Sequence, residues 1–288
     1  MDAAILIQAL ATGITMGCVY ALVSVGLSLI YGIMDIINFA HGELLMVGMF
    51  AAFWLWAIFG LDPLLSLPLV AMLMALIGAL INVTIIRPVY KSTMLAQIFV
   101  TFGLATLLSS SAQALFTANF HTIDNSLLAG NVDLGGIYLG RPELFAGLIS
   151  LVAFIGLYLF LRKTKTGRAL QATSENKDAA ALMGINTEKM FTLGWAISIG
   201  CVGIAASVLA SYYYIFPGVG TTFSLIAYVA VALGGFGNVL GAFVGGVIIG
   251  AVEALSGVLI SPVYKYPVVF VVYLLVVLLR PQGILGKS

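Results

Sequence analysis

Apolar residues run through this chain in long unbroken blocks. They occupy roughly 3–31, 40–60, 63–86, 93–118, 143–161, 191–213, 221–236, 239–260 and 266–280. A helix needs ~20 such residues to cross a hydrocarbon core of ~30 Å, and most of the blocks reach that length. None shows the strict alternation of a membrane β-strand. The pattern predicts an all-α integral membrane protein, a polytopic helical bundle of eight or nine transmembrane segments, with 1–288 as one membrane domain. The breaks between blocks are chemically marked. Asp62-Pro63 and Pro68 open the third block, and Pro142 starts the fifth. Arg87-Pro88 closes the third, because proline disfavours helix in the residue before it. Pro262 and Pro267 bracket a short turn.

One polar interruption stands out, RKTKTGRALQATSENKDAAALMGINTEK from Arg162 to Lys189, with six of the twelve Lys and Arg residues. Arg87 and Lys91 form a second basic cluster, and Arg280 and Lys287 a third. Placing all three on the cytosolic side puts ten of the twelve basic residues inside, as the positive-inside rule expects, and leaves Arg141 and Lys265 outside. Clusters on one side must be separated by an even number of crossings. The 221–260 stretch is too long for one ordinary helix and contains Gly234-Gly235-Phe236-Gly237-Asn238. A break there preserves the parity, with 221–236 tilted or partly re-entrant. The N-terminus is then extracytoplasmic and the C-terminus cytoplasmic.

Composition removes the soluble alternative. The chain is 62% hydrophobic and 8% charged, with a mean hydropathy of +1.15, where a soluble domain carries about 25% charged residues. The N-terminus begins Met1-Asp2-Ala3 and the first basic residue is Arg87. A cleaved signal needs a basic region ahead of its apolar core, so the first helix is expected to be retained. No polar stretch is long enough to form a catalytic domain. Cys18 and Cys201 lie inside apolar blocks and read as small packing side chains rather than a disulfide or metal ligands.

The stretch from Tyr31 to Glu43 places Asp35, Asn38, His41 and Glu43 between two apolar runs, flanked by Gly32 and Gly42. Ionisable groups at membrane depth usually face a bundle interior or an aqueous path. A helix broken at depth would also offer free N–H groups near Ala40 to Glu43 to a carboxylate. A tight turn at the membrane face would use the same residues. His41-Gly42-Glu43 has neither metal-ligand nor triad spacing. Farther on, Gly234 to Gly246 again combines an Asn (Asn238), glycines and a following apolar helix. Gly237, Gly241 and Gly245 are spaced for close helix packing, and the likeness to 38–50 also suggests two related halves. Glu253 is the lone acid of block 239–260, a pathway residue or a packing partner. The 119–142 segment, with His121, Asp124, Asp133 and Arg141, reads as an exposed extracytoplasmic loop, either a plain connection or a receiver for an external partner.

Within the basic loop, Ser174 or Asn176 can cap a short helix, with Glu175 and Asp178 suited to its first turn. Gly184 can end it in a left-handed conformation. Leu182 and Met183 would then form a small apolar knob on a helix lying across the membrane face. An inert surface helix and a docking helix fit the residues equally well.

GRALQATSENKDAAALMGIN (167–186) resembles the cytoplasmic coupling loop of permease subunits of ATP-binding-cassette importers. GLSLIYGIMDIINFAHGELLMVG (26–48) is similar to the amino-terminal signature of the branched-chain amino acid permeases, and GGFGNVLGAFVGG (234–246) to their glycine-rich segment. In this order the motifs resemble the H-type permeases of Liv systems for leucine, isoleucine and valine. The resemblance implies a non-catalytic permease domain over 1–288, with a coupling loop at 162–190 and an extracytoplasmic loop at 119–142. It implies a sister permease, two ATP-binding cassette ATPases and a periplasmic binding protein as partners, in a bacterial inner membrane, with no nucleic acid. Glu175, Asn176, Asp178, Ala179, Ala180, Leu182, Met183 and Gly184 would dock an ATPase. Asp35, Asn38, His41, Gly42, Glu43, Asn238 and Glu253 are the pathway candidates. No GxxxxGK[ST] phosphate loop occurs in the chain, so ATP and Mg would be bound by the partner subunits. The alternative is a stand-alone transporter or channel driven by an ion gradient, with Asp35, Glu43 and Glu253 as proton carriers. Within the resemblance, urea and amide permeases share similar motifs.

Overall fold

A computed structural model describes residues 3–124, 127–133 and 136–286. Met1 and Asp2, used in the signal argument, and Lys287, used in the orientation argument, lie outside the described residues. Among the described residues, eight helical segments are long and apolar enough to cross a membrane. They are α1 (Ala3–Met34), α2 (His41–Phe59), α3 (Pro63–Ile81) with its continuation, α5 (Met94–Phe116), α6 (Arg141–Lys163), α9 (Thr187–Ala210), α11 (Val239–Leu259), and a 3-10 turn (Pro262–Tyr264) leading into α12 (Lys265–Leu279). A shorter apolar helix, α10 (Val219–Gly234), lies between α9 and α11.

The centre of the bundle is α1, whose residues from Val19 to Val25 are buried to the last side chain. It lies antiparallel against α11, and glycines set the spacing. A Cβ on Gly250 would lie 2.4 Å from the Gly17 Cα, and one on Gly246 would lie 2.4 Å from the Ala21 Cα. Two backbones approach this closely only where both faces are small, which is how membrane helices gain dispersion contact without a hydrophobic driving force. A second seam joins α3 to α9, where Trp195 and Ile199 of α9 meet Gly78 of α3. On the outside, α5 and α12 bury little of their surface, and Phe99, Leu107, Leu278 and Leu279 project outward. Apolar side chains on that perimeter suit a lipid surround.

Long-range contacts sort the chain ends onto two faces. At one face Lys177 meets Asp35 at the end of α1, Arg87 pairs with Glu188, and Gly235 and Gly237 meet Gly286 and Gly32. At the other, Gln8 bonds Tyr138, Leu127 N–H bonds Asp62, His121 pairs with Ile215, and Lys265 pairs with Glu253. The basic clusters that the structure describes therefore share one face, here called the basic face. The break between α10 and α11 falls at Gly235–Asn238, as the parity argument requires. Its 16-residue α10 spans about 24 Å at 1.5 Å per residue. The non-helical stretch 211–218 brings the chain down from the opposite face to its start.

Two expectations need correction and a third gains detail. Helix α3 does not stop before Arg87-Pro88: a π turn at Asn82–Ile86 leads into a last turn, α4 (Arg87–Val89). The Arg87 N–H bonds the Asn82 carbonyl five residues back, and this wider turn relieves the clash a proline makes with an ordinary helix. The 119–142 loop holds a small antiparallel hairpin, β1 (Asn131–Asp133) with β2 (Tyr138–Gly140), in register Val132 to Leu139. The basic loop forms two helices rather than one, α7 (Lys165–Glu175) and α8 (Lys177–Leu182).

Candidate functional site

Two sites emerge, one buried and one exposed, on either side of Asp35. The chain leaves α1 at Met34 and turns at Asp35, whose backbone is left-handed at φ 57°. Residues 36–40 then climb back into the bundle instead of lying on its face. The Thr101 hydroxyl of α5 donates to the Ile37 carbonyl at 3.1 Å, and the Tyr228 hydroxyl of α10 to the Asn38 carbonyl at 2.6 Å. His41, the first residue of α2, donates from Nε2 to the Val23 carbonyl at 2.9 Å. Val23 lies about 16 Å, three helical turns, from the end of α1. The turn thus begins at the basic face with Asp35, and α2 starts inside the bundle, about three helical turns from the end of α1.

Around it forms a buried polar nest. Asn38 and His41 are fully buried and Glu43 nearly so. Gly42 N–H donates to Ser224 Oγ at 3.0 Å, and the Thr221 hydroxyl donates to Glu43 Oε1 at 3.2 Å. Two glycines make the approach possible: a Cβ on Gly42 would lie 2.1 Å from the Gly220 carbonyl oxygen, and one on Gly220 would lie 2.5 Å from Glu43 Oε2. Three polar atoms of the nest have no hydrogen-bond partner among the described residues, namely Asn38 Nδ2, His41 Nδ1 and Glu43 Oε2. Buried polar groups are normally satisfied, so three orphans in one cluster make the nest a candidate site. Glu43 Oε2 can accept from an ammonium or a hydroxyl, and Asn38 Nδ2 can donate. Among the described residues no three His, Cys, Asp or Glu side chains converge for a metal.

Of the other pathway candidates, none joins this nest. Asp35 is exposed and ion-paired on the basic face. Asn238 caps α11 through Gly241 N–H at 2.9 Å and donates to the Leu285 carbonyl at 2.7 Å. Glu253 pairs with Lys265 at 2.8 Å at the opposite face. Sequence reasoning missed Thr221, Ser224 and Tyr228. Their signal was present: spacing i, i+3, i+7 puts three polar side chains on one face of an otherwise apolar helix. Cys18 and Cys201 are buried and free, as expected.

The exposed site is α8. Thr164 caps α7 by accepting from Gly167 N–H at 2.9 Å, and Leu170 is buried against the bundle. Asn176 ends α7 and starts α8, its Oδ1 accepting from Ala179 N–H at 2.9 Å. Ser174, the other candidate cap, lies inside α7 and donates to the Gln171 carbonyl. The C-terminus closes in a Schellman pattern: Gly184 N–H bonds the Ala181 carbonyl, Ile185 N–H bonds the Ala180 carbonyl, and Gly184 has φ 81°. Ala180 faces inward, while Leu182 and Met183 are 89% and 83% exposed. Beside α8 a pocket of ≈ 740 Å³ opens between Met34, Asn82, Tyr90, Lys177, Glu188 and Phe191. Burial disfavours the Lys177 charge, but the hydrogen bond and charge of Asp35 outweigh that and raise its pKa above the usual lysine value.

The family model for "Branched-chain amino acid transport system / permease component" matches residues 9–278. The chain is 32% identical to the high-affinity branched-chain amino acid transport system permease protein BraD of Pseudomonas aeruginosa, over 98% of this chain and 96% of the relative. It is 31% identical to the corresponding LivH protein of Escherichia coli K12, with the same coverage. It is also 31% identical to a probable LivH protein of Methanocaldococcus jannaschii, over 92% of this chain and 88% of that one. No solved structure matches it significantly.

Proposed function

Because the chain belongs to the branched-chain amino acid transport permease family, we propose that it is the membrane-embedded subunit of an ATP-driven importer of branched-chain amino acids. It conducts the solute and hydrolyses nothing itself. ATP and Mg are bound by partner ATPases, one of which seats on α8 through Leu182 and Met183, with Asn176, Asp178, Ala179, Ala180 and Gly184 shaping the same helix and Glu175 ending α7 beside it. A sister permease completes the bundle, and a binding protein delivers solute at the face that carries the hairpin. The basic face is cytoplasmic in a bacterial inner membrane. The observation that carries this reading is the exposed apolar pair on a helix capped at both ends, on the face that gathers the basic clusters. An apolar knob of that kind on a polar loop fits a groove on a soluble partner. Asn38, His41, Gly42 and Glu43 line the path. The nest is walled by helices from both halves of the chain, α2 and α10, as a path opened by a bundle rearrangement requires.

Purified protein in liposomes tests this directly. Alone it should hydrolyse no ATP. With the ATPases and a binding protein it should import radiolabelled leucine at the expense of ATP, and Leu182→Ser/Met183→Ser should lose both ATPase assembly and uptake. Leucine uptake by the lone chain on an ion gradient would replace this reading with that of a secondary transporter. A cysteine placed at Leu182 should react with impermeant reagents only from the inner side.

A further inference from the structure

We propose that Lys177 and Asp35 form the link through which movement of α8 reaches the buried segment ending at Glu43. The inference rests on the reading of α8 as the ATPase-docking helix. Lys177 is the first residue of α8. Its ammonium donates to Asp35 Oδ2 at 2.7 Å and to the Met34 carbonyl at 3.4 Å, and lies 5.5 Å from the centre of the Tyr90 ring. One side chain thus touches the end of α1, the start of the climbing segment and the turn after α4. At the far end of the same short helix, about 9 Å away, Leu182 and Met183 project outward. Capping at both ends makes α8 a stiff unit, so a pull on the knob is felt at Lys177 rather than absorbed along the way.

Asp35 is placed to pass that pull on. It holds a left-handed backbone, a conformation open to few side chains besides glycine, asparagine and aspartate. Its own N–H bonds the Tyr31 carbonyl at 2.7 Å, and its carboxylate is held by Lys177. Beyond it, residues 36–40 form no helix or strand, and their ties run to α5 through Ile37 and to α10 through Asn38. A shift at Asp35 therefore moves Asn38 and the start of α2, which carry the unpartnered atoms of the nest. A coupling element must also differ in energy between two states. This pair can: the Lys177 and Asp35 side chains are 30% and 67% exposed, so the contact opens without stranding a buried charge. Both residues are positioning residues, since neither touches the nest.

The test uses the assembled importer in proteoliposomes, with ATP hydrolysis and leucine import read on one sample. Lys177→Met and Asp35→Asn are suitable variants, because Asn tolerates the left-handed backbone. Each should assemble and keep hydrolysis within about twofold of the parent, while ATP consumed per leucine rises about fivefold or more. The double variant should be no worse than either single one, and Lys177→Arg should stay coupled. An unchanged ratio in either single variant overturns the proposal. So does a proportional loss of hydrolysis and import, or additive losses in the double variant. Leu182→Ser/Met183→Ser serves as the control. If it assembles and hydrolyses normally, the docking reading falls. If it does not, and Lys177→Met stays coupled, only the link falls.

Discussion

The two helix breaks of this chain look alike in sequence and differ in what they leave unsatisfied. Both put an asparagine ahead of an apolar helix, with glycine close by. At Gly235–Asn238 every ingredient is used structurally. Asn238 caps α11 and holds the Leu285 carbonyl. The C-terminal tail returns Ile284 and Leu285 N–H groups to the Leu233 and Gly234 carbonyls. At 35–40 the chain climbs into the bundle, and Asn38, His41 and Glu43 each keep an atom without a partner among the described residues. One break is a satisfied joint at the basic face, the other leads into a polar nest inside the bundle. Similar residues end in different surroundings because their partners differ, and the hint of two related halves does not extend to equivalent hydrogen bonding.

The contrast is broken most severely at Gly42. A Cβ there meets the Gly220 carbonyl oxygen at 2.1 Å, backbone that cannot swing aside. Gly42→Ala should force α2 and α10 apart, lower stability by about 1–3 kcal/mol through overpacking and abolish uptake. Thermal melting in detergent and leucine import measure the two effects. Normal import would mean that the α2–α10 approach is not needed for transport.

Next in size is Glu43→Gln, which keeps shape and removes charge. Its Oε2 contributes no hydrogen bond within the described structure, so melting should hold steady or rise, since a buried unpaired charge is costly. Import should fall by about tenfold or more, the weight of one charge-assisted hydrogen bond. Asn238→Ala should do the reverse. It removes a helix cap and the tie to Leu285, at about 1 kcal/mol or somewhat more. Melting should drop, and import per folded molecule should not. If the two variants behaved alike, the distinction between nest and joint would be lost.

How far this was legible from the sequence depends on the partner's distance. The block pattern gave the crossings, because length and apolarity alone decide whether a helix spans. Charge parity located the Gly235–Asn238 break, and local capping grammar located α8, with Asn176 at one end and Gly184 at the other. Burial depth was not legible. Asp35 and Glu43 are eight positions apart in one polar stretch, yet one is exposed on the basic face and the other is buried with the nest. What separates them is Lys177 on one side and Thr221, Ser224 and Tyr228 on the other, all more than a hundred residues downstream. The helix at Lys165–Glu175 was missed for a different reason. Its basic and polar residues conceal a single inward face at Gly167, Leu170 and Thr173.

Glu253 supplies the smallest test of the same comparison. It is an acid in an apolar helix, like Glu43, and by composition the two are equivalent. The structure gives Glu253 a partner, Lys265 Nζ at 2.8 Å. The Lys265 side chain is 37% exposed, so it can hydrate when the carboxylate is removed. Glu253→Gln should therefore cost about 1 kcal/mol or less, a shift of a few degrees in melting, and leave import unchanged. On the proposed reading, a satisfied acid stabilises the bundle and an unsatisfied one serves the solute. A loss of import at Glu253→Gln as large as at Glu43→Gln, with melting intact, would show that having a partner at rest does not keep an acid out of the path.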